Sequence, residues 1–431
     1  MKRTKPNRQK SILRRRSATR IWDRRQHQHS KPNSRNVSRL SDHSLTENPG
    51  KLCYDVIRLA RIDWQSGWQR PQQFSEQFAQ AGHRVFYVAP EFINLSDDES
   101  ARQELDQHIT IKNIDRNIWI VTLCANRPLD LHGGEDLTET DVLLMKEAIA
   151  YIITKFQCSV WITIVDDPFW SPLVCELDQQ LLVFDHTLAQ FQESLNCPIK
   201  QHQEELLLQA AHLVLTESAR LYDRASSMNP ATFMVRNGVD LEHFITSNSD
   251  LAPEFEVIPE PVIGCYGSPS TEVDYELIKV LAELRPDWNF VWIGAITAEG
   301  PAMMDVPENV WLLEDKPYHE LPGYFRAFQA ALLPYKLNEK TQSAHPVQLY
   351  EYMALGVPVI SAELPEIIDS DAEVISLARS PLSFIQAIEA ALDDENAALK
   401  PKYQQFAWSN RWEQRYQILH ERFLEMLQSP T

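Results

Sequence analysis

The chain has 431 residues, of which 44% are hydrophobic, and its formal net charge is −19. This length and apolar content are enough for two hydrophobic cores and exceed one ordinary domain. No run of about 20 apolar residues is present, so no transmembrane helix is expected, and the basic N-terminus lacks the apolar stretch of a secretory signal.

The first 40 residues are strongly basic. They hold 14 Lys or Arg and one acid, Asp23, a net of +13 that leaves −32 on the remainder of the −19 chain. Because this segment has few apolar residues, it cannot offset its ordering entropy, and residues 1–50 are predicted to be a disordered arm. The arm is expected to be a solvated tail or, through residues 1–45, to bind an anionic membrane surface; nucleic acid and protein partners are further alternatives.

The spacing of the cysteines indicates the redox state of the cellular compartment in which the protein is expected. Six cysteines are scattered along the chain without paired spacing. This pattern is typical of a reducing cytoplasm rather than of a disulfide framework or a zinc site. We therefore expect a cytoplasmic protein, with peripheral attachment to the inner face of the membrane as the alternative that the arm allows.

Residues 51–250 are predicted to form a first domain in which strands alternate with helices. The strand CYDVIRLARID is followed by the helix RPQQFSEQFAQAG, which Gly82 ends, and by the strand HRVFYVAP. A strand–helix–strand unit of this kind is typical of a parallel sheet. Further predicted strands are SVWITIVDD, LLVFDH, HLVLTES and TFMVRNGVD, with the helix CPIKQHQEELLLQAA between two of them.

A second domain is predicted over residues 251–405. It follows a linker rich in Pro, Ser and acids, ITSNSDLAPEFEVIPEP. The strand PVIGCYGS, the helix EVDYELIKVLAELRP and the strand WNFVWIGA begin this series, and the strands NVWLLE, FQAALLPY and VPVIS continue it. The fold class is therefore α/β, with two Rossmann-like, doubly wound domains facing across a cleft. A final helix in residues 406–431 is expected to return to the first domain.

Phosphate-binding signals are weak in this sequence. With 12 glycines there is no G-x-G-x-x-G and no Walker loop, which argues against a plain dehydrogenase or a P-loop enzyme. In GCYGSPS, Gly264 and Gly267 stand where a strand ends and a helix is about to begin. Small residues there allow a phosphate to approach backbone N–H groups, although an ordinary strand-to-helix turn explains the stretch equally well.

Glu351 stands out in the segment AHPVQLYEYMALGVPVIS. Pro346 is expected to be the first helical residue, and Gly356 and Pro358 end the helix before a buried strand. A helical glutamate is usually solvated, but the neighbours of Glu351 are apolar. Its carboxylate could accept two hydrogen bonds from the vicinal hydroxyls of a ribose, while the amides near Pro346 and Val347 could meet a diphosphate.

These residues carry a resemblance to a known family. AHPVQLYEYMALGVPVISAELPEI resembles the donor-site signature of retaining glycosyltransferases with the B-type fold of two Rossmann-like domains, the family-4 or group-1 enzymes found in bacterial surface polysaccharide synthesis. DWQSGWQRPQQFSEQFAQAGHRVFYV resembles their acceptor-side loop and first helix, and VRNGVDLEHF and the terminal WSNRWEQRY follow in the same order. The resemblance spans about residues 52–428 and leaves out the basic arm.

The resemblance implies roles for individual residues. Glu351 would hold the donor ribose, and the diphosphate would be lined by Gly267, Ser268, His345, Pro346, Val347 and Gln348. Trp68, Arg70 and the turn at Asp185 and His186 would face the reacting sugar or the acceptor. Gln348 replaces the usual lysine, and Ser343 the acid often found eight residues before the glutamate.

The candidate catalytic residues also have ordinary structural explanations. Arg70 precedes Pro71 at a predicted helix start, where it could bind an anion or be a plain surface arginine. His186 follows a buried strand and could donate to the leaving phosphate or to a sugar hydroxyl, although a capping histidine is commoner. The acid pairs Asp166–Asp167 and Asp369–Asp371 raise the question of a metal, but the surrounding pattern resembles the metal-independent fold, so no metal is expected.

The resemblance implies an enzyme that moves a sugar from a nucleotide-sugar donor to a glycan or lipid-linked saccharide acceptor, with retention. The nucleotide sugar is a co-substrate, and no cofactor is expected. Two alternatives stay open. One is a catalytically degenerate binding or assembly protein, which the missing cations would favour; the other is a nucleotide-sugar 2-epimerase-like enzyme on the same fold.

Overall fold

The structure is a computed structural model that describes residues 53–95, 109–187, 192–193, 195, 197–246, 250–268, 270–296, 306–368, 374–393 and 398–428. The predicted basic arm, the pair Asp369 and Asp371, and the last three residues lie outside these ranges. No helix in the described ranges is both long enough and apolar enough to cross a membrane.

The first sheet is built from eight strands between residues 55 and 234. They are β1 (Asp55–Leu59), β2 (Val85–Asn94), β3 (Ile109–Asp115), β4 (Ile118–Ala125), β5 (Trp161–Val165), β6 (Leu181–His186), β7 (Leu213–Thr216) and β8 (Thr232–Met234). Their order in the sheet is β3-β4-β2-β1-β5-β6-β7-β8. All neighbours are parallel except β3 and β4 at the edge, which form an antiparallel pair.

The second sheet has six parallel strands. They are β9 (Val262–Tyr266), β10 (Asn289–Ile293), β11 (Val310–Leu313), β12 (Ala330–Leu333), β13 (Val359–Ala362) and β14 (Ser376–Ala378), in the order β11-β10-β9-β12-β13-β14. In both sheets the order reverses beside the first strand, between β1 and β5 and between β9 and β12. The predicted α/β class with two doubly wound sheets is confirmed.

Helices connect the strands and cover the sheets. They are α1 (Arg70–Gln80), α2 (Glu139–Lys155), α3 (Ser171–Val174), α4 (Pro198–Ala210), α5 (Ala219–Ser226), α6 (Leu241–Thr246), α7 (Tyr275–Leu284), α8 (Leu321–Phe325), α9 (Gln348–Ala354), α10 (Pro365–Ile368), α11 (Pro381–Leu392), α12 (Lys400–Trp408) and α13 (Trp412–Gln428). Short 3₁₀ helices lie at Pro168–Trp170, Pro253–Glu256, Tyr318–Glu320 and Thr341–Ser343.

The first strand and helix illustrate why the sequence folds this way. Every residue of β1 is buried, as expected for a strand of a parallel sheet that is covered on both faces. Pro71 lies in the first turn of α1, where its missing N–H costs nothing. The chain leaves the helix at Gly82, whose φ of +97° is a conformation that glycine adopts without strain.

Both faces of the first sheet are buried in hydrophobic cores. One core includes Phe86, Ile149 and Trp170, and is covered by α2, α3 and α4. The opposite core joins α1 to the terminal helix α13, through Phe78 on α1 and Trp412, Tyr416, Leu419 and Phe423 on α13. The last helix of the described chain therefore completes the core of the first sheet.

Candidate functional site

The order reversal of the second sheet, between β9 and β12, organises the candidate site. Ligands of doubly wound sheets bind beyond the carboxyl ends of the strands at such a point. Gly267 and the exposed Ser268 follow β9 there. A Cβ atom added to Gly294, after β10, would lie 2.1 Å from the carbonyl oxygen of Gly267. Gly294 therefore permits the close backbone contact that shapes this edge.

The chain that leads into α9 meets the same edge. His345 and Pro346 are buried, and Val347 and Gln348 are half-buried. A Cβ atom on Gly267 would lie 3.5 Å from Nε2 of Gln348, so the structure brings these two predicted residues together.

The helix starts two residues later than predicted. Pro346 was expected to be the first helical residue, but α9 begins at Gln348. The preceding turn is tight, because N–H groups of Leu349 and Tyr350 donate to the carbonyls three residues before them, at Pro346 and Val347. With seven residues, α9 is a short helix with little macrodipole of its own.

Glu351 is buried in this site. Its residue is 3% exposed, and its Oε2 has no hydrogen-bond partner in the described part of the chain. Burial raises the pKa of Glu351 to about 8, and the nearby Asp240 adds to the shift. The phenols of Tyr266 and Tyr318 are close enough that Glu351, after burial, contributes to raising their pKa values. The carboxyl group is thus largely protonated at neutral pH and has an oxygen available to a polar ligand.

His345 links this site to the segment after β8. Its Nε2 lies 3.1 Å from Oη of Tyr350, and its carbonyl oxygen accepts a hydrogen bond from Asn237 Nδ2 at 3.1 Å. Burial lowers the pKa of His345 to about 3, and three neighbouring arginines lower it further: Arg236, Arg415 and Arg70. Nδ1 of this neutral imidazole is buried without a partner among the described residues.

Arg70 and Asp185, predicted from distant parts of the sequence, form a buried ion pair. Nε of Arg70 donates to both carboxylate oxygens of Asp185, at 2.9 and 3.1 Å. Asp185 also accepts from Arg58 at 2.9 Å, and Arg58 donates twice to Asp166, at 2.8 and 2.6 Å. Burial raises the pKa of Asp166 above its usual value, although Arg58 opposes the shift. Two arginines and two aspartates compensate each other at this edge.

The same network orients Arg70 toward the second sheet. Its Nη1 donates to the carbonyl of Val235 at 2.8 Å and lies 3.4 Å from Oδ1 of Asn237. Its Nη2 is buried and has no hydrogen-bond partner in the described chain. Asp185 therefore acts as a positioning residue, and Arg70 has one donor left beside Asn237, which in turn contacts His345.

His186 lies elsewhere, although it is adjacent to Asp185 in sequence. Neighbouring residues of a strand point to opposite faces of the sheet. His186 accordingly lies in the core with its Nε2 2.7 Å from Oε1 of Glu204 on α4, and its ring stacks on Phe184. The structure does not bring His186 together with Arg70 and Asp185.

An aromatic contact joins the loop before α1 to the second sheet. The half-buried Trp68 stacks on Tyr318, with ring centroids 6.0 Å apart and planes at 21°. Gln73 Nε2 donates to Oη of Tyr318 at 3.2 Å, and the ring of His243 stacks on the same tyrosine at 4.2 Å. Trp68 is therefore packed on Tyr318, the tyrosine whose pKa Glu351 helps to raise.

Four residues of the site were not singled out in the sequence: Asn237, Asp240, Tyr318 and Arg415. Asn237 and Asp240 belong to the segment VRNGVDLEHF, so the quoted motif was a usable signal for both. Arg415 lies on α13 within the quoted terminal segment WSNRWEQRY, and its Nε lies 3.3 Å from the carbonyl oxygen of Asn237. No local pattern indicates such a contact.

One group of potential metal ligands occurs among the described residues. Ligand atoms of His132, Asp167 and Glu193 all lie within 4.8 Å of one another. Arg61 pairs with both carboxylates, and Lys200 pairs with Glu193. Because these cations already compensate the carboxylates, the group offers little net negative charge to a metal ion. The predicted pair Asp166 and Asp167 is likewise divided between Arg58 and Arg61.

Comparison with known proteins identifies the second half of the chain. Residues 260–394 match the family model described as Glycosyl transferases group 1. This segment of the chain is therefore similar to a group 1 glycosyltransferase domain. The matched segment contains Gly267, Ser268, His345 and Glu351, and so includes the predicted donor-side residues.

A curated relative points to the same family. TuaH of Bacillus subtilis strain 168, provisionally described as a teichuronic acid biosynthesis glycosyltransferase, is 30% identical over 138 residues. The match covers 30% of this chain and 34% of TuaH, so the chain spans about a third of the length of that relative.

Solved structures share the fold of the described chain. Sucrose-phosphate synthase from Thermosynechococcus elongatus has a TM-score of 0.63 and 15% identity, covering 86% of this chain and 99% of its own. The E. coli "trehalose-6-phosphate" protein bound with UDP-2-fluoro glucose has a TM-score of 0.62 and 11% identity, covering 87% and 99%. At these identities the likeness establishes the two-Rossmann B-type fold.

Proposed function

We propose that the chain is a glycosyltransferase that moves a sugar from a nucleotide-sugar donor to a saccharide or lipid-linked saccharide acceptor. One observation carries this proposal. Around the start of α9, each of three predicted site residues has a buried polar atom with no partner in the described chain: Glu351 Oε2, His345 Nδ1 and Arg70 Nη2. Buried polar groups are normally hydrogen-bonded, so a polar ligand that supplies the missing partners fits this place.

The donor would lie along the carboxyl edge of the second sheet. Its ribose hydroxyls would donate to the carboxylate of Glu351, and its diphosphate would follow the backbone at Gly267 and Ser268 toward the segment His345 to Gln348. Gln348 offers an amide where a lysine is usual in the family, so the diphosphate needs a cation from another position. Nη2 of Arg70 is buried, oriented and unpartnered, and it supplies that charge.

We infer the reaction from the resemblance to retaining group 1 glycosyltransferases. The acceptor hydroxyl oxygen forms a bond to the anomeric carbon while the bond from that carbon to the donor diphosphate breaks. The hydroxyl proton passes to an oxygen of the departing diphosphate, which leaves as the nucleoside diphosphate, and the anomeric configuration is retained. No protein base is required, and Arg70 stabilises the negative charge that develops on the leaving group.

Support comes from the family match and from the fold. The curated relative is described as a glycosyltransferase, and one structural neighbour was solved with a UDP-sugar analogue. We extend the domain scheme in the same way: residues 51–250 would take the acceptor, residues 251–405 the donor, and residues 406–431 would close the first domain. Cytoplasmic location and contact of residues 1–45 with an anionic membrane surface complete the proposal.

The decisive experiment is a binding screen. UDP, GDP, ADP and dTDP are titrated calorimetrically into the full chain, and the best ligand is repeated with Glu351→Ala and with the control Glu283→Ala, an exposed glutamate on α7. We expect one nucleotide to bind, about 100-fold weaker affinity in Glu351→Ala through loss of two charge-assisted hydrogen bonds, and no change in the control. Binding that survives Glu351→Ala overturns the proposed site.

Turnover separates the enzyme from a degenerate scaffold. The nucleotide sugar that matches the best nucleotide is incubated with the chain, and release of the nucleoside diphosphate by slow hydrolysis is followed. We expect release that is lost in Arg70→Ala. Tight donor binding without any release would instead favour the binding or assembly protein, for which Gln348 and Ser343 in place of charged residues are the motivating features.

A further inference from the structure

The order of the strands also reverses in the first sheet, between β1 and β5. A second group of charged side chains lies there, separate from the network that contains Arg70. Arg61 follows β1, Asp167 follows β5, and Glu193 lies between β6 and α4. These side chains therefore converge at the carboxyl edge of three neighbouring strands, where ligands of doubly wound sheets bind.

A cavity of about 400 Å³ opens at this edge. Its lining includes the backbone of Gly133 and Gly134 and the side chains of Gln192, Glu193 and Lys200. This volume is in the usual range of small-molecule sites. Gln192, Glu193 and Lys200 place polar groups in this lining, where they could meet a polar group of a ligand.

Two cations, the half-buried Arg61 and the buried Lys200, pair with one carboxylate that lines this cavity, that of Glu193. Both terminal nitrogens of Arg61 approach the carboxylate of Glu193, with Nη1 3.3 Å from Oε2, and Lys200 Nζ pairs with the same Oε2. The side chains of Arg61 and Lys200 are 13% and 7% exposed, whereas that of Glu193 is 34% exposed. Lys200 is thus a lining residue, whereas Arg61 meets the cavity through its pairing with the more exposed Glu193.

Asp167 keeps Arg61 in place independently of Glu193. It pairs with Nη1 of Arg61, and its Oδ1 accepts a hydrogen bond from the backbone N–H of Phe169 at 3.0 Å. If the carboxylate of Glu193 is displaced, Arg61 therefore keeps its pairing with Asp167, and Lys200 stays in the lining of the cavity. A guanidinium fork accepts a carboxylate and a phosphate with the same bidentate geometry.

We propose that Arg61 and Lys200 form a subsite for an anionic group, phosphate or carboxylate, on the acceptor saccharide, and that the Glu193 carboxylate competes for this subsite. The inference rests on the proposed function, because it assigns the acceptor to the first sheet. It names a substrate class, a saccharide that carries a negative charge, and it predicts that neutral sugars bind poorly.

The test uses two neighbouring substitutions that should act in opposite directions. Glucose 6-phosphate, glucuronic acid, glucose and inorganic phosphate are titrated calorimetrically into the full chain, into Glu193→Gln and into Lys200→Met. We expect at least one of the two charged sugars to bind, about tenfold more tightly in Glu193→Gln because the competing charge is gone, and about tenfold or more weakly in Lys200→Met. Glucose should not bind measurably.

Matched controls come from an exposed ion pair on the same half of the chain. Lys146 Nζ lies 3.4 Å from Oε2 of Glu176, and both side chains are largely exposed. Lys146→Met and Glu176→Gln should leave the affinity for the charged sugar unchanged. If the net charge of the protein alone were responsible, the controls would change the affinity for the charged sugar as much as the cavity variants do. That result would overturn the proposal.

The probes also separate the sources of the anionic group. Tighter binding of glucose 6-phosphate than of glucuronic acid assigns the subsite to a phosphorylated sugar, and the reverse order assigns it to a uronate. A third outcome is that inorganic phosphate binds as tightly as the charged sugar and responds in the same way to both variants. That result would show that the site binds the anion without recognising the sugar, and it would overturn the acceptor assignment.

Failure of this inference can be distinguished from failure of the proposed function. If nucleotides bind and depend on Glu351, but neither charged sugar binds to the wild type or to Glu193→Gln at up to about 10 mM, the anionic subsite is wrong and the donor site stands. If both charged sugars respond as expected but no nucleotide binds, the proposed donor site is wrong and the anionic subsite stands. Thermal unfolding of each variant confirms that it is folded, and Lys200→Arg, which keeps the charge, should bind more tightly than Lys200→Met.

Discussion

The two sheets present contrasting edges at their order reversals. At the first sheet, each buried charge has an opposite charge beside it, as in the network of Arg58, Asp166, Asp185 and Arg70. At the second sheet, Glu351 and His345 are buried with a polar atom that has no partner among the described residues. At the first edge the charges therefore compensate one another, with one donor of Arg70 left over, whereas at the second edge a carboxyl group and an imidazole each keep a buried atom without a partner in the described chain.

The difference has an energetic basis. In a buried ion pair, the attraction between the charges and their additional hydrogen bonds offset the free energy lost when the charges leave water. Removal of one partner leaves the other charge buried without compensation, which destabilises the fold. A buried carboxyl group without a partner avoids the cost by remaining protonated. The first edge should therefore be sensitive to loss of a charge, and the second edge to pH.

The largest effect is expected for Asp185→Asn. This substitution leaves Arg58 and Arg70 without one of their two buried counter-charges, and we expect the free energy of unfolding to fall by about 3–5 kcal/mol. Urea denaturation followed by circular dichroism measures it. The control is Asp287→Asn, which removes an exposed partner of Arg285 and should cost less than about 1 kcal/mol. Equal losses in the two variants would contradict the contrast between the edges.

A smaller effect, of opposite sign, is expected for Glu351→Gln. The pKa of Glu351 is about 8 in the folded chain and near 4.5 when unfolded. Between these values the unfolded chain loses a proton that the folded chain retains, so wild-type stability falls as pH rises through this window. At pH 8 the variant should be about 3–4 kcal/mol more stable than the wild type, and the two should converge near pH 5.

Urea titrations at the two pH values measure this difference, and Glu283→Gln is the exposed control. A wild-type stability that changes equally with pH in the presence and absence of Glu351 would show that this carboxyl group does not titrate as described.

Nucleotide affinity should also depend on pH through Glu351. Ribose hydroxyls donate hydrogen bonds, and an ionised carboxylate accepts them more strongly than a protonated one. With a pKa of about 8, the ionised fraction rises from pH 7 to pH 8, and we expect affinity for the preferred nucleoside diphosphate to increase about fivefold. Calorimetry in two buffers of different ionisation enthalpy should show that binding releases a proton. Glu351→Gln should abolish both the increase and the release.

The smallest effect on stability is expected for the stacking of Trp68 on Tyr318. Trp68→Ala removes the stacking on Tyr318, and we expect a loss of about 1 kcal/mol in stability, while Trp68→Phe keeps part of it. Tyr318→Phe removes only the hydrogen bond from Gln73 and should cost about 0.5–1 kcal/mol. If Trp68→Ala also weakens nucleotide binding while Trp68→Phe does not, the stack supports the ribose pocket. Unchanged stability in Trp68→Ala would show that the stacking of Trp68 on Tyr318 does not stabilise the fold.

Local patterns were sufficient for much of the fold. The apolar runs at β1, β5, β6, β9 and β13 predicted strands because each is buried on both faces, and Gly82 correctly marked the end of α1. No element was predicted between residues 95 and 157, where the structure has the antiparallel pair β3 and β4 and the helix α2. The strand β3 is largely exposed or half-buried, so its sequence lacks the continuous apolar run that identified the others.

The candidate site was only partly readable from sequence. Glu351 could be found because it is the one carboxylate in an apolar helix, and strand parity alone would have placed Asp185 and His186 on opposite faces. The pairing of Arg70 with Asp185 joins residues 115 positions apart, and the approach of Arg415 to Asn237 joins residues 178 positions apart. Such contacts depend on how the sheets assemble, which no local pattern specifies.

The position of α13 has a consequence for biosynthesis. Trp412, Tyr416 and Phe423 fill one face of a sheet whose strands end at residue 234. During translation that face stays uncovered while nearly 200 further residues are made, so the nascent polypeptide exposes an aromatic surface to chaperones until its final helix emerges. A fragment that stops before residue 412 would keep this surface permanently, and it should aggregate even though its own sheet is complete.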